Sequence, residues 1–141
     1  MSFHYRHIVI GLLILTVGLI WSACKDSSNP ITKPGDIVFP AKNISYDRQV
    51  QPLFNITCAT TNCHDRLTRQ SNVDLSSYAG LKGSPYGIVI AKDTSNSRLI
   101  WCIKGQPGSP PMPPPPLPSL NINQIQGLTR WIYEGATDTI P

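Results

Sequence analysis

The chain has 141 residues, of which 14 are prolines and only 14% are charged. This length leaves room for one small domain. The net charge of +4 comes from lysines and arginines scattered singly, without the basic cluster that a nucleic-acid-binding face needs. We therefore expect no nucleic-acid partner, and at most a mild preference for acidic partners.

Residues 1–23 are predicted to be a signal peptide. A weakly basic start at Arg6 precedes an uncharged, mostly apolar run over residues 8–21, which is short for a membrane span but suits a signal sequence. The run ends with Ser22 and Ala23 directly before Cys24. This ending resembles a bacterial lipoprotein signal, which implies cleavage before Cys24 and acylation of its thiol. Ordinary cleavage after Ala23 and an uncleaved anchor are the alternatives.

The mature chain is accordingly expected in the bacterial cell envelope, outside the cytoplasm, on the periplasmic face or the cell surface. Its lipid anchor would hold it to the membrane. Residues 24–43 are polar and contain repeated proline and glycine, which do not build a core. This segment is predicted to be a flexible tether, followed by one folded domain over residues 44–137.

The domain is predicted to begin with a helix near Ile44. Ser45 is a plausible N-cap residue. Pro52 should kink this helix or mark a restart, because proline has no backbone N–H. Apolar residues recur at helical spacing and lead the chain to Cys58: Tyr46, Val50, Leu53, Phe54 and Ile56.

Three further helices are predicted. Ser76 would cap a short one, and residues 98–104 would form the amphipathic body of another that starts near Asp93. The last helix would be capped by Asn121 or Asn123 and stopped by Gly135. Its apolar stripe is Ile122, Ile125, Leu128, Trp131 and Ile132.

The sequence Cys58-Ala-Thr-Thr-Asn-Cys63-His64 contains the residues with the clearest chemistry. Two cysteines, the second followed at once by histidine, are typical of covalent haem attachment, in which thiols bond the porphyrin and imidazole binds the iron. The usual spacing between the cysteines is two residues, and here it is four. On a regular helix Cys58 and Cys63 would lie about 140° apart, so the loop must leave helical geometry. The Thr and Asn residues between them permit that.

Counting identifies a candidate for the second axial ligand. His64 is the only histidine beyond residue 7, and Met112 is the only methionine besides Met1. Haem iron commonly takes one histidine and one methionine as axial ligands. Met112 lies within the proline-rich residues 107–118, which are predicted to form a stiff extended strap because proline fixes φ. A polyproline linker, or a ligand for a proline-binding module, is the alternative.

Several stretches together resemble a class I-type small cytochrome c domain: residues 58–64, 73–78, 97–100, 112–114 and 131–136. The resemblance implies an all-α fold wrapped around one covalent haem c. It assigns thioether bonds to Cys58 and Cys63, and the iron to His64 and Met112. The last helix would pack across the first and cover the haem edge.

The resemblance also has functional implications. Six-coordinate iron leaves no open position, which implies electron transfer and not enzymatic turnover. The expected partners are redox proteins, and self-association or membership of a larger redox complex is also open.

Three other interpretations remain. A structural zinc site at Cys58, Cys63 and His64 lacks a fourth ligand, and adjacent ligands are awkward. A haem-free lipoprotein would instead hold a Cys58–Cys63 disulfide and serve as a structural or binding module. If Met112 does not bind the iron, the open position suits a haem sensor or a peroxidase. Neither a second histidine nor an arginine close to Met112 in sequence supports peroxidase chemistry.

Cys102 is left over once Cys24 is acylated and the other two thiols are bonded. It is expected to be a buried thiol on the apolar face of its helix, behaving as a small hydrophobic residue. An intermolecular disulfide is the alternative.

Overall fold

Every regular element in the computed structural model of this chain is helical, over the residues that the structure describes, 33–85 and 87–138. The four α-helices are α1 (Gln51–Thr57), α2 (Tyr78–Gly83), α3 (Arg98–Ile103) and α4 (Ile122–Glu134). Three short segments are a π-helical turn at Tyr46–Val50 and 3₁₀ turns at Pro34–Asp36 and Gln70–Asn72. The prediction of an all-α domain is confirmed for these residues.

The first helical segment starts where the sequence predicts. Ser45 Oγ accepts a hydrogen bond from the Arg48 N–H at 3.3 Å, and the chain then follows a π-helical turn. Helix α1 continues from that turn, with Pro52 within its first two residues. Proline is tolerated there because the N–H it lacks would have no partner within the helix. Pro52 thus lies where the chain changes from the π-helical turn to α-helical geometry, and α1 ends immediately before Cys58.

Helix α2 begins one residue later than the sequence predicts. Ser77, not Ser76, is its N-cap, with its hydroxyl accepting the Gly80 N–H at 3.0 Å. Ser76 is unavailable because its N–H and hydroxyl both donate to Asp74 Oδ1, at 2.9 and 2.6 Å. A local side-chain turn therefore outcompetes the predicted cap.

Helix α3 is shorter at its start than predicted. The side chain of Asp93 accepts the N–H groups of Ser95 and Asn96 at 3.1 and 3.0 Å, which holds residues 93–96 in a turn. The helix then runs over Arg98–Ile103 and packs against α4.

Helix α4 is the longest helix described. Asn121 caps it reciprocally with Gln124, while Asn123 is used elsewhere. Gly135 ends it with φ of 117°, a left-handed conformation that favours glycine. The predicted apolar stripe is correct for Leu128, Trp131 and Ile132, which are buried. Ile122 at the first turn is 74% exposed instead.

The folded domain starts before the predicted boundary. The sequence predicts a flexible tether up to residue 43, but Ile37 and Phe39 are buried in the core. Asn123 fixes Phe39 at its backbone, accepting its N–H at 2.8 Å and donating to its carbonyl at 3.0 Å. Burial of these two apolar side chains therefore makes the segment part of the folded domain, although the nearby prolines and glycine predict a flexible tether. Glu134 fixes the following turn by accepting the N–H groups of Asn43 and Ile44, both at 2.9 Å.

The core lies between the segment before α1, helix α1 itself and α4. The Tyr46 ring lies 5.6 Å from the Trp131 ring and 5.1 Å from the Tyr78 ring, centroid to centroid. Side chains that are fully buried at this centre are Val50, Leu53, Phe54, Leu128 and Ile132. Helix α4 therefore packs across the first helical segment, as the sequence predicts.

The predicted signal peptide, Cys24 and the first part of the predicted tether lie outside the described residues. None of the helices within 33–85 and 87–138 combines the length and the apolar content that crossing a membrane requires.

Candidate functional site

Two adjoining cavities lie between the end of α1, the loop that follows it, α3 and the proline-rich segment. The first, of about 250 Å³, is lined by all four predicted haem residues: Cys58, Cys63, His64 and Met112. The second, of about 310 Å³, shares Cys58, His64 and Met112 with the first. Its wall is otherwise largely apolar, formed by Val73, Leu75, Ile88, Leu99, Ile103 and Pro110.

The loop from Cys58 to His64 leaves helical geometry, as its length requires. Cys63 N–H donates to the Thr60 carbonyl, and His64 N–H donates back to the Cys58 carbonyl, each at 3.0 Å. Asn62 has φ of 68°, a left-handed conformation that asparagine tolerates better than most residues. The four intervening residues therefore fold back, so that Cys58 and Cys63 face the same cavity.

The orientation of the His64 ring is set by a backbone carbonyl. Nδ1 of His64 lies 3.1 Å from the carbonyl oxygen of Gln70. A carbonyl can only accept, so Nδ1 donates in this contact, and in the neutral ring the lone pair is on Nε2. Histidines that bind metals commonly use this second contact to fix the ring and its tautomer. Gln70 was not predictable from the sequence as a partner of His64, because a backbone carbonyl acts here and every residue type carries one.

Met112 reaches the cavities through its backbone connection to α3. Its N–H donates to the Cys102 carbonyl at 3.0 Å, next to the end of that helix. The side chain is half-buried and lines both cavities. Fold geometry thus brings the single internal methionine to the same place as the cysteines and His64.

The thiol of Cys58 is held in its protonated form. Burial raises its pKa to about 11, against the smaller opposing effect of a hydrogen bond with the Thr57 hydroxyl 3.2 Å away. Cys58, Cys63 and Cys102 are all free thiols in the described residues. The disulfide of the haem-free interpretation is therefore not the arrangement seen here.

Two residues of α3 belong to this site and were not predicted there. Arg98 and Cys102 both line the larger cavity beside Met112. No arginine lies close to Met112 along the chain, but folding of α3 against the proline-rich segment brings Arg98 to the same cavity. Cys102, expected to be a buried thiol on the apolar face of its helix, is half-buried at the cavity wall. Their spacing of four residues puts them on one helical face, which is the signal that was available.

Helix α4 does not have the second role predicted for it. No residue of α4 lines either cavity. Trp131 instead packs on Tyr46 and donates its indole N–H to the Thr137 carbonyl at 2.9 Å. The helix packs in the core next to the site, and its residues do not cover the two cavities.

A tetrahedral zinc site would need four protein ligands or three and a water. Within residues 33–85 and 87–138, no group of three or more histidine, cysteine, aspartate or glutamate side chains is placed to hold a metal ion. The donors at the cavities are instead two thiols, one imidazole and one thioether, with apolar residues around them. That set fits a covalently attached haem, which needs two thiols, axial donors and an apolar wall.

Comparison with known proteins agrees with this chemistry. Residues 61–116 match the sequence family described as planctomycete cytochrome C. The segment is similar to a c-type cytochrome. The match includes Cys63, His64 and Met112, starts after Cys58 and covers less than half of the chain. It supports a c-type cytochrome-like domain and, with it, haem c binding. No curated protein and no solved structure matched the chain.

Proposed function

We propose that this protein is a membrane-anchored electron carrier with one covalently attached haem c. The observation that carries the proposal is the 250 Å³ cavity, whose wall contains Cys58, Cys63, His64 and Met112 together. Met112 is remote from the others in sequence, so chance proximity of neighbouring residues does not account for the set. The match to planctomycete cytochrome C supports the same class of protein.

Each residue has a distinct role in this proposal. The thiols of Cys58 and Cys63 would form thioether bonds to the haem, while His64 Nε2 and the Met112 sulfur would bind its iron. When bound, the haem supplies a one-electron iron couple, and methionine as second ligand favours a higher reduction potential than a second histidine. The Gln70 carbonyl orients the imidazole, and the apolar wall would limit access of water to the iron.

The remaining parts of the proposal concern location and partners. Acylation of Cys24 would tether the domain to a membrane outside the cytoplasm, with residues 25–33 as spacer. Redox proteins in the same compartment would donate and accept electrons, and the protein itself would turn over no substrate. Replacing Cys24→Ala should release the protein into the soluble fraction. Unchanged membrane association would point to an uncleaved anchor.

The central test is covalent attachment. The full chain should be expressed with a cytochrome c maturation system, denatured, and examined for haem that stays on the polypeptide. We expect the wild-type chain to retain its haem and the double variant Cys58→Ala/Cys63→Ala to lose stable attachment. Cys102→Ala, the matched cysteine control, should retain the haem. Haem that separates from the wild-type chain on denaturation would refute the proposal.

A second candidate function is a haem sensor or peroxidase with an open iron position. Arg98 and Cys102 favour it, because they add polar side chains to the wall of the larger cavity that Met112 also lines. Carbon monoxide distinguishes the two functions. Rapid binding to the reduced wild-type protein would favour the second candidate, since a methionine ligand blocks the position.

A further inference from the structure

The Gln70 carbonyl that holds His64 belongs to an unusual loop. Arg69, Ser71 and Asn72, which surround Gln70, have φ of 45°, 58° and 60°. Left-handed conformations are unfavourable for residues other than glycine and persist where neighbouring interactions hold them. Three of them around one carbonyl indicate that its direction is imposed by the surroundings.

An ion pair provides one of those interactions. Arg69 Nη2 lies 3.3 Å from Asp74 Oδ2, so the two side chains form an ion pair. The side chain of Arg69 is 55% exposed, whereas that of Asp74 is only 7% exposed. Asp74 is therefore the fixed partner, and Arg69 connects the loop to it.

Asp74 is fixed by several contacts of its own. Its carboxylate accepts the N–H and the hydroxyl of Ser76, and its N–H donates to Ser84 Oγ at 2.9 Å. Gly80 allows α2 to approach, because a Cβ there would lie 2.6 Å from the carboxylate carbon. These contacts leave the carboxylate little freedom to move.

The chain around Asp74 also contacts His64 directly. The next residue, Leu75, donates its N–H to the His64 carbonyl at 2.8 Å and lines the larger cavity. Gln70 N–H donates to the Cys63 carbonyl at 2.9 Å. Residues 69–75 therefore hold the histidine at its backbone through Leu75 and at its ring through Gln70.

We propose that the Arg69–Asp74 ion pair is a positioning element for the His64 imidazole, acting through the Gln70 carbonyl. This inference rests on the proposed function, since it concerns His64 as an iron ligand. A well-aligned acceptor at Nδ1 makes the imidazole a stronger donor and favours the oxidised iron. Loosening the Gln70 carbonyl should thus weaken that effect and raise the midpoint potential.

The test uses the haem-loaded full chain and four variants. Asp74→Asn keeps the shape and the Ser76 acceptor but removes the charge, and Arg69→Gln removes the other partner. Arg69→Lys keeps a positive charge and serves as the conservative rescue. Asp93→Asn is the matched control, because the Asp93 carboxylate also fixes a local turn, by accepting the N–H groups of Ser95 and Asn96, but lies outside residues 69–75.

Two measurements report on the imidazole and not on overall stability. The first is the exchange rate of the His64 Nδ1 proton with solvent, followed by NMR in the reduced protein. The second is the midpoint potential. We expect faster exchange and a raised midpoint potential in Asp74→Asn and Arg69→Gln, because the Gln70 carbonyl that accepts from Nδ1 is then held less firmly. Arg69→Lys should recover part of both changes, and Asp93→Asn should match the wild type.

Wild-type exchange and potential in folded, haem-loaded Asp74→Asn and Arg69→Gln would overturn the inference and leave the proposed function intact. If Asp74→Asn fails to fold, Arg69→Gln decides, because Arg69 is more than half exposed. A wild-type chain that carries no covalent haem would instead overturn both this inference and the proposed function.

Discussion

The backbone N–H of Met112 donates a hydrogen bond to the carbonyl oxygen of Cys102, with 3.0 Å between nitrogen and oxygen. This contact attaches the proline-rich strap to the end of α3, whose residues Leu99 and Ile103 are buried. The methionine therefore takes its position from a packed helix. The proline-rich residues around it contain turns, with the Leu117 N–H donating to the Pro114 carbonyl at 3.0 Å, and do not form the extended strap that the sequence predicts. Its side chain faces the same cavities as His64.

The first prediction concerns this methionine. Met112→Ala should open one iron position, so the reduced variant should bind carbon monoxide readily while the reduced wild type resists it. Optical titration with the gas measures the difference. Ile122→Ala is a suitable control, because Ile122 is 74% exposed and lines neither cavity. Equal binding by wild type and Met112→Ala would mean that Met112 is not an axial ligand.

The second prediction tests where the domain begins. Phe39→Ala should destabilise the protein by about 3–5 kcal/mol, since it empties a space filled by a buried ring. Val38→Ala, at a neighbouring side chain that is 68% exposed, should change stability by less than about 0.5 kcal/mol. Urea unfolding of both variants and of the wild type measures these changes in the free energy of unfolding. Similar stabilities would show that residues 37–39 are part of the tether after all.

The third prediction uses the close contact between α4 and the same ring. A Cβ on Gly127 would overlap the Phe39 side chain. Gly127→Ala should therefore lower the free energy of unfolding by about 1–3 kcal/mol, although alanine is the better helix former. Gly83→Ala provides the control, because a Cβ there meets no atom within 4 Å. A stabilised Gly127→Ala variant in denaturant titrations would contradict the packing described here.

The fourth prediction concerns the Cys58 thiol before haem attachment. Burial raises its pKa from 9.0 to about 11, so at pH 8 its thiolate fraction should be about a hundredfold below that of an ordinary thiol. Alkylation of the haem-free folded protein with iodoacetamide, followed by mass spectrometry, should show this slow reaction. The rate should rise to that of an ordinary thiol when the chain is unfolded in urea. A reactivity profile with its midpoint near 9.0 in the folded protein would refute the prediction.

The same pKa shift has a consequence for stability. The folded state favours the protonated thiol, so this contribution to the free energy of unfolding is complete below pH 9.0. It should decrease as the pH rises toward about 11, where Cys58 ionises in the folded state. Unfolding of the haem-free protein at pH 8 and pH 11, compared with Cys58→Ala, measures the change.

Local structure was largely predictable from the sequence. Ser45, Asn121 and Gly135 act at helix ends because capping depends on residue type and immediate neighbours. The misplaced cap at Ser76 has a local cause too, in the competing carboxylate of Asp74. Periodicity also found the buried face of α4, but it could not distinguish the capped first turn, where Ile122 is exposed, from the turns that follow.

The sequence by itself determined the chemistry of this protein: two cysteines and a histidine in the order that haem attachment uses, and a single internal methionine. Residue types and their counts are independent of folding, which is why they could be identified without a structure. Only the tertiary structure decided which distant groups join them. Arg98, Cys102 and the Gln70 carbonyl reach the site through helix packing and loop conformation, which depend on contacts between residues far apart in the chain.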